Sequence, residues 1–253
     1  MTARAFCADG DLRYEASRHR FVPGDGFVLS EDYRLAHLPL VDPAHPKNIA
    51  SVPGKDYDRG RYATPRHALA VHVATETLLA SAVYRELDAD LRGRAVAKKI
   101  AWTTQEKRRD VLHATIAGPV DAPTADSYFD ATRDWQTRTG GAAIRLGGPF
   151  VGNRNHGRIY LPVYPEARDG VDMFADLQNA IGARASGFYA IGLWHLADDL
   201  DAGEAASLAA WLDRWGGETV AILGDPRLGI LTTTDDQAIH SPVWRWIESA
   251  AGR

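Results

Sequence analysis

Two stretches of this chain read alike, and their spacing limits the folds open to it. Asp121-Ala-Pro-Thr opens a helical run that reaches Trp135 and stops at Gly140-Gly141. Asp201-Ala-Gly-Glu opens another that reaches Trp215 and stops at Gly216-Gly217. The Asp pair and the Trp pair are each 80 residues apart. Asp is a natural helix N-cap and glycine a natural stop. Apolar segments follow both stops, at Ala143–Leu146 and Ala221–Leu223, and each runs into a Gly-x-Pro turn. Each unit reads strand, helix, strand, turn, strand. Such a duplication implies two lobes related by a pseudo-two-fold, although the same punctuation also marks unrelated helices.

The surrounding sequence extends this plan. Residues 1–63 are rich in Pro and Gly and show little periodicity, so they read as a wrapping arm with short strands near 11–14 and 27–29. Thr64-Pro65 reads as an N-cap with Pro in the first turn. Leu79, Val83, Leu87 and Leu91 recur every four residues, which predicts one long helix over 65–91 ending at Gly93. Strands are expected at 96–103, 111–117, 143–146, 158–164, 188–196, 221–223, 229–233 and 243–247. A short helix is expected over 171–181, and Gln105–Arg109 as a charged turn. Strand pairs with interspersed helices, without regular strand–helix alternation, place the chain in the α+β class. The expected division is an N-terminal extension over 1–94, holding the arm and the long helix, and a two-lobed domain over 95–253.

Composition narrows the function classes. The chain has 253 residues, with 45% apolar and 25% charged side chains, which is ordinary for a packed protein. One cysteine allows no intramolecular disulfide and no multi-thiolate metal site, which points to a reducing, cytoplasmic setting. The opening residues form no secretory signal, and no apolar run is long enough to cross a membrane. A net charge of −4 argues against a long duplex as partner, because neutralising phosphates needs clustered cations. A small anion in a locally basic groove remains compatible with it.

The candidate chemistry lies in Val111-Leu-His-Ala-Thr-Ile-Ala117. Strand alternation puts His113 and Thr115 on one face. An imidazole moves protons near neutral pH, and a hydroxyl holds a phosphoryl oxygen. The second unit offers His195, 82 residues further on, in Gly187-Phe-Tyr-Ala-Ile-Gly-Leu-Trp-His-Leu-Ala197. The even offset gives it the matching face if neither strand carries a bulge. Two facing imidazoles would serve as base and acid on opposite sides of one phosphorus.

Here the chain resembles the 2H phosphoesterase superfamily, the 2′-5′ RNA ligase-like and cyclic phosphodiesterase-like proteins. The resemblance spans about residues 95–240 and rests on the pair of His-x-Thr/Ser motifs, one per lobe. His113-Ala-Thr115 matches. In His195-Leu-Ala197 an alanine stands where Thr or Ser is expected, and Tyr189 is an alternative occupant of the second slot. The resemblance implies a cofactor-free, metal-independent phosphoesterase acting on a nucleotide or RNA-terminal cyclic phosphate. His113 and His195 would be its acid and base, and Thr115 would bind phosphate. A non-catalytic nucleotide- or RNA-binding module on the same fold is the alternative. An unrelated α+β protein with an accidental His-x-Thr match is another.

Other residues invite weaker readings. The loop Gly147–Gly157 and its flank gather Asn153, Arg154, Asn155, His156 and Arg158, donors suited to an anion, but it matches neither the dinucleotide fingerprint nor the P-loop. Lys98, Lys99, Lys107, Arg108 and Arg109 could rim a groove or simply face solvent. Asp198, Asp199, Asp201, Asp235 and Asp236 read more simply as caps than as a Mg²⁺ site. Arg59, Arg61 and Tyr62 are candidate ligand contacts from the arm. Cys7, in an opening expected to be disordered, is a poor nucleophile candidate. Trp211 and Trp215, four apart on one helix, read as core. The oligomeric state is not specified.

Overall fold

The computed structural model describes residues 4–248 as a mixed α+β fold built on two antiparallel sheets. In chain order the arm contributes β1 (Ala5–Phe6) and the short helices α1 (Tyr14–Ser17), α2 (Glu31–Ala36) and α3 (Leu38–Val41). Next come β2 (Arg61–His72), α4 (Thr75–Ala80), α5 (Ala82–Arg92) and α6 (Trp102–Lys107). Then follow β3 (His113–Val120), α7 (Ala122–Thr139), β4 (Ile144–Gly147), β5 (Phe150–Val151) and β6 (Arg158–Arg168). The remainder is β7 (Val171–Asp172), α8 (Met173–Ala180), β8 (Ala190–His195), α9 (Ala202–Trp215), β9 (Thr219–Leu223), β10 (Leu228–Asp235) and β11 (Val243–Trp246).

The smaller sheet runs β11-β10-β2-β3. In the larger, β6 is the hub, pairing with β1, β4, β5, β7 and β8, while β9 lies outside β4. The pairing is duplicated. Strand β2 lies between β3 and β10, as β6 lies between β8 and β4. Helix α7 carries the chain from β3 to β4, on the larger sheet. Helix α9, by way of β9, carries it from β8 to β10, on the smaller one. The repeat is therefore strand, helix, strand, helix, strand, with each unit giving its last strand to the other sheet. It begins at β2 and not at β3, so a division at residue 94 would strip the smaller sheet of an interior strand.

The long helix expected over 65–91 is not formed. Its first part is β2, and its second is α4 and α5, interrupted at Ser81, whose hydroxyl accepts from the Tyr84 N–H and caps α5. Leu69, Ala70 and Val71 are all fully buried. A strand packed on both faces loses the alternation that would have announced it, and local propensity yields to tertiary pairing. Pro65 is tolerated because β3 pairs only from His67 onward and the β10 register shifts beyond Thr233, so its missing N–H breaks no ladder bond.

The strand expected over 96–103 is likewise replaced, by a 3-10 turn (Ala95–Lys99) and by α6, which also takes most of the charged turn. The strands expected in the arm are not formed: 11–14 bends into α1, and 27–29 holds only an isolated bridge from Phe27 to Leu200. Cys7, expected in a disordered opening, is instead buried, and its N–H donates to the Pro165 carbonyl. The expected helices over 119–140, 171–181 and 204–215 are present as α7, α8 and α9. Asp121 accepts from the Thr124 N–H, Gly140 closes α7 in the left-handed conformation, and Asp201 forms a capping box with Glu204.

Two tyrosines fix the arm to the sheets. The Tyr14 hydroxyl lies 2.6 Å from the carbonyls of Val163 and Tyr189, and the Tyr33 hydroxyl donates to the Leu196 carbonyl. Tyr33 can dock only because residue 157 is glycine. Its φ is +119°, and a Cβ there would stand 2.7 Å from the Tyr33 ring. Trp211 and Trp215 are core, as expected, their indole N–H groups donating to the Leu87 carbonyl and to Asp90.

Candidate functional site

A cavity of about 360 Å³ opens where the two sheets meet, lined by residues of β2, β3 and β10 from one sheet and of β6 and β8 from the other. Strand β3 supplies His113 and Thr115. The larger sheet supplies Arg158 and Tyr160, together with Phe188 and Ala190 at the start of β8. Tyr62 and Arg66 come from β2, and Asp235 and Asp236 from the end of β10 and beyond.

His113 is held in one tautomer. Its Nδ1 lies 2.7 Å from the Val111 carbonyl, which can only accept, so Nδ1 carries the proton and Nε2 keeps its lone pair. Burial pushes the imidazole down to about 3. The Val111 carbonyl opposes that shift, and the charges of Arg108 and Arg158 add to it. At neutral pH His113 is therefore an uncharged acceptor.

Arg158 lies across the backbone of Gly192. A Cβ at residue 192 would stand 1.7 Å from the Arg158 Nε, so this approach requires glycine there. The Arg158 Nε is buried without a hydrogen-bond partner. Behind it Arg108 is wholly buried, its Nε donating to the Gln237 carbonyl and its Nη1 to the Gly192 carbonyl. The Arg108 Nη2 has no partner. Burial and the neighbouring Arg158 charge push Arg108 down to about 9, which leaves it protonated at neutral pH. Neither guanidinium forms a salt bridge among the described residues.

His195 does not line this cavity. The β6–β8 register shifts at Leu193, and His195 falls opposite Arg158, two pairs beyond Gly192. It is fully buried under the arm, its ring centroid 6.2 Å from Tyr33 and 5.7 Å from His37. Its Nε2 lies 3.5 Å from Arg108, and its Nδ1 has no partner. Burial, then the Arg108 and Arg158 charges, hold it well below the usual imidazole range. Where β8 and the residues leading into it do line the cavity, at Phe188 and Ala190, they offer no proton donor. The alternative, Tyr189, points into the core, where its hydroxyl donates to the Gln178 Oε1. Ala197 is engaged through its backbone, its N–H donating to the Lys99 carbonyl.

Of the glycine-loop donors, Arg158 and Asn155 reach the cavity. Asn153 is exposed and binds the arm, its Nδ2 donating to the Ala16 carbonyl, and Arg154 is exposed. The suggested basic rim disperses: Lys98 pairs with Glu204, Lys99 with Asp198 and Arg109 with Glu76, while Arg108 turns inward. Asp199 pairs with Lys47, and Asp235 accepts from the N–H groups of Gln237, Ile239 and His240. Among the described residues no three His, Cys, Asp or Glu side chains are grouped to hold a metal ion.

Sequence reasoning missed Arg66, Tyr160, Phe188 and the inward role of Arg108, since none stands in a motif. Arg66 lies over the Tyr62 ring at 3.9 Å. Tyr57 and Tyr62 both donate to Asp236, and against the burial that pushes its carboxyl up, those hydroxyls and the Arg158 charge hold it below the usual value, so it stays ionised. No protein-family model matches the chain, and no curated protein matches it significantly.

Proposed function

We propose that the cavity binds the terminal phosphate of a nucleotide or RNA end, and that the chain is a binding module and not a two-histidine phosphoesterase. The single observation that carries this reading is the composition of the cavity's two sides. One side offers the His113–Thr115 pair, while the segment Phe188–Ala190 leading into β8 brings no second histidine beside Arg158 and Tyr160. In-line transfer needs a base and an acid, and losing one partner forfeits a factor of about 10²–10⁴. The binding half is supported by Arg158, which has a buried Nε without a partner, and by Thr115, whose side is exposed to the cavity. A neutral His113 Nε2 is a poor neighbour for a phosphate oxygen but a good acceptor for a ribose hydroxyl beside it. Tyr62, Tyr160 and Phe188 give aromatic surface for the nucleoside.

Calorimetry with adenosine 3′-phosphate, alongside a turnover assay with adenosine 2′,3′-cyclic phosphate, tests this. Binding without turnover is expected. Hydrolysis that disappears in both His113→Ala and His195→Ala would restore the two-histidine enzyme. Absence of any binding would remove the phosphate reading.

A further inference from the structure

Arg108 has no role in the reading above. It does not line the cavity, yet a fully buried guanidinium without a carboxylate partner is expensive unless something balances its charge. Its hydrogen bonds to Gln237 and Gly192 reach carbonyl oxygens, which carry no net charge, and Nη2 is left over. Arg158 lies against the same Gly192 and has its own unpartnered Nε. Two like charges thus share one glycine. The nearby imidazoles of His113, His37 and His195 are all held neutral by burial and by these cations, so they supply no compensation. Asp236, an ionised carboxylate of the lining, feels the Arg158 charge but makes no salt bridge with it, its oxygens accepting from the Tyr57 and Tyr62 hydroxyls. Asp235 favours the charged form of Arg108 from a distance, but it makes no salt bridge with it, its oxygens being taken by three backbone N–H groups and His240.

We propose that Arg108 and Arg158 form a two-guanidinium anion site that selects a doubly charged phosphomonoester over a singly charged phosphodiester or cyclic phosphate. This rests on the phosphate reading above and names its ligand class: an open, terminal phosphate. Arg158 makes the contact. Arg108 adds a second positive charge from behind, in surroundings where water does not screen it. Arg158 can contact either class of phosphate, and the second charge behind it widens the preference for the dianion.

The test compares two ligands that differ in charge and little else: adenosine 3′-phosphate, and the corresponding phosphorofluoridate, in which fluorine replaces one oxygen and leaves a single negative charge. On the intact chain the phosphate should bind tighter by about tenfold or more. In Arg108→Met the ratio should fall severalfold, and in Arg108→Lys it should persist. A purely structural Arg108 would weaken both ligands equally and leave the ratio intact, which overturns the proposal. Equal affinities on the intact chain overturn it too, even if the Met variant does not fold. If neither ligand binds, the phosphate reading itself has failed, a result distinct from equal binding.

Discussion

Strands β3 and β8 occupy corresponding places in the two repeats, and each carries a histidine, yet the two imidazoles have different fates. His113 stands at the start of β3, half-buried, with Nδ1 tied to the Val111 carbonyl and Nε2 left as an acceptor in the cavity lining. His195 stands at the end of β8, beyond a register shift, beneath Tyr33 and His37. The lesson is that parity along a strand assigns a face only while the ladder is regular, and that a face is not a cavity. The arm covers one end of β8 and leaves its start, at Phe188 and Ala190, to line the groove.

The broadest way to sharpen this contrast is pH. His37 and His195 are buried with imidazoles far below their unfolded value, His37 near 3. The unfolded chain therefore binds more protons, so stability is present above about pH 6.5 and is lost as pH falls toward the folded values. Each contributes up to about 1.4 kcal/mol per pH unit in that window. Urea unfolding at pH 7 and pH 5 should differ by several kcal/mol, and His195→Leu should flatten the slope. A pH-independent midpoint would mean that His195 is not shut in.

Arg158→Ala should lose phosphate binding by roughly 100-fold, the scale of charge-assisted hydrogen bonds. Calorimetry with adenosine 3′-phosphate reads this directly, and unchanged affinity would move the ligand out of the cavity. Gly192→Ala places a Cβ where the guanidinium lies, so it should weaken binding tenfold or more and cost about 1–3 kcal/mol of stability by overpacking. A crystal structure with Arg158 undisturbed would break that link.

The smallest effect is the most direct test of the two histidines. His113→Gln should cost about five- to tenfold in affinity for a nucleotide with a free vicinal hydroxyl, and little for its 2′-deoxy counterpart. His195→Leu should leave both affinities within about twofold, because it removes an unpartnered polar atom from the core and touches nothing in the cavity. Equal losses from the two variants would erase the difference drawn here.

Much of the framework was legible in the residues. Asp121 and Asp201 announced α7 and α9 because capping is a local bond between a side chain and the next turn's N–H. Alternation in β3 placed His113 and Thr115 on one face, and both line the cavity. Strand β2 was hidden because it is packed on both sides and reads like an alanine-rich helix. Arg158 was visible as a donor, but its seat on Gly192 joins residues 34 apart and leaves no pattern in the sequence.

By itself the sequence determined the class of fold, the duplicated helix units and the face of β3, since each follows from contacts a few residues long. Only tertiary structure decided that each unit gives a strand to the other's sheet, that His195 is sealed while Phe188 lines the groove, and that two guanidiniums meet at one glycine. Those outcomes depend on which distant segment fills a given space and on the burial that then shifts each charge.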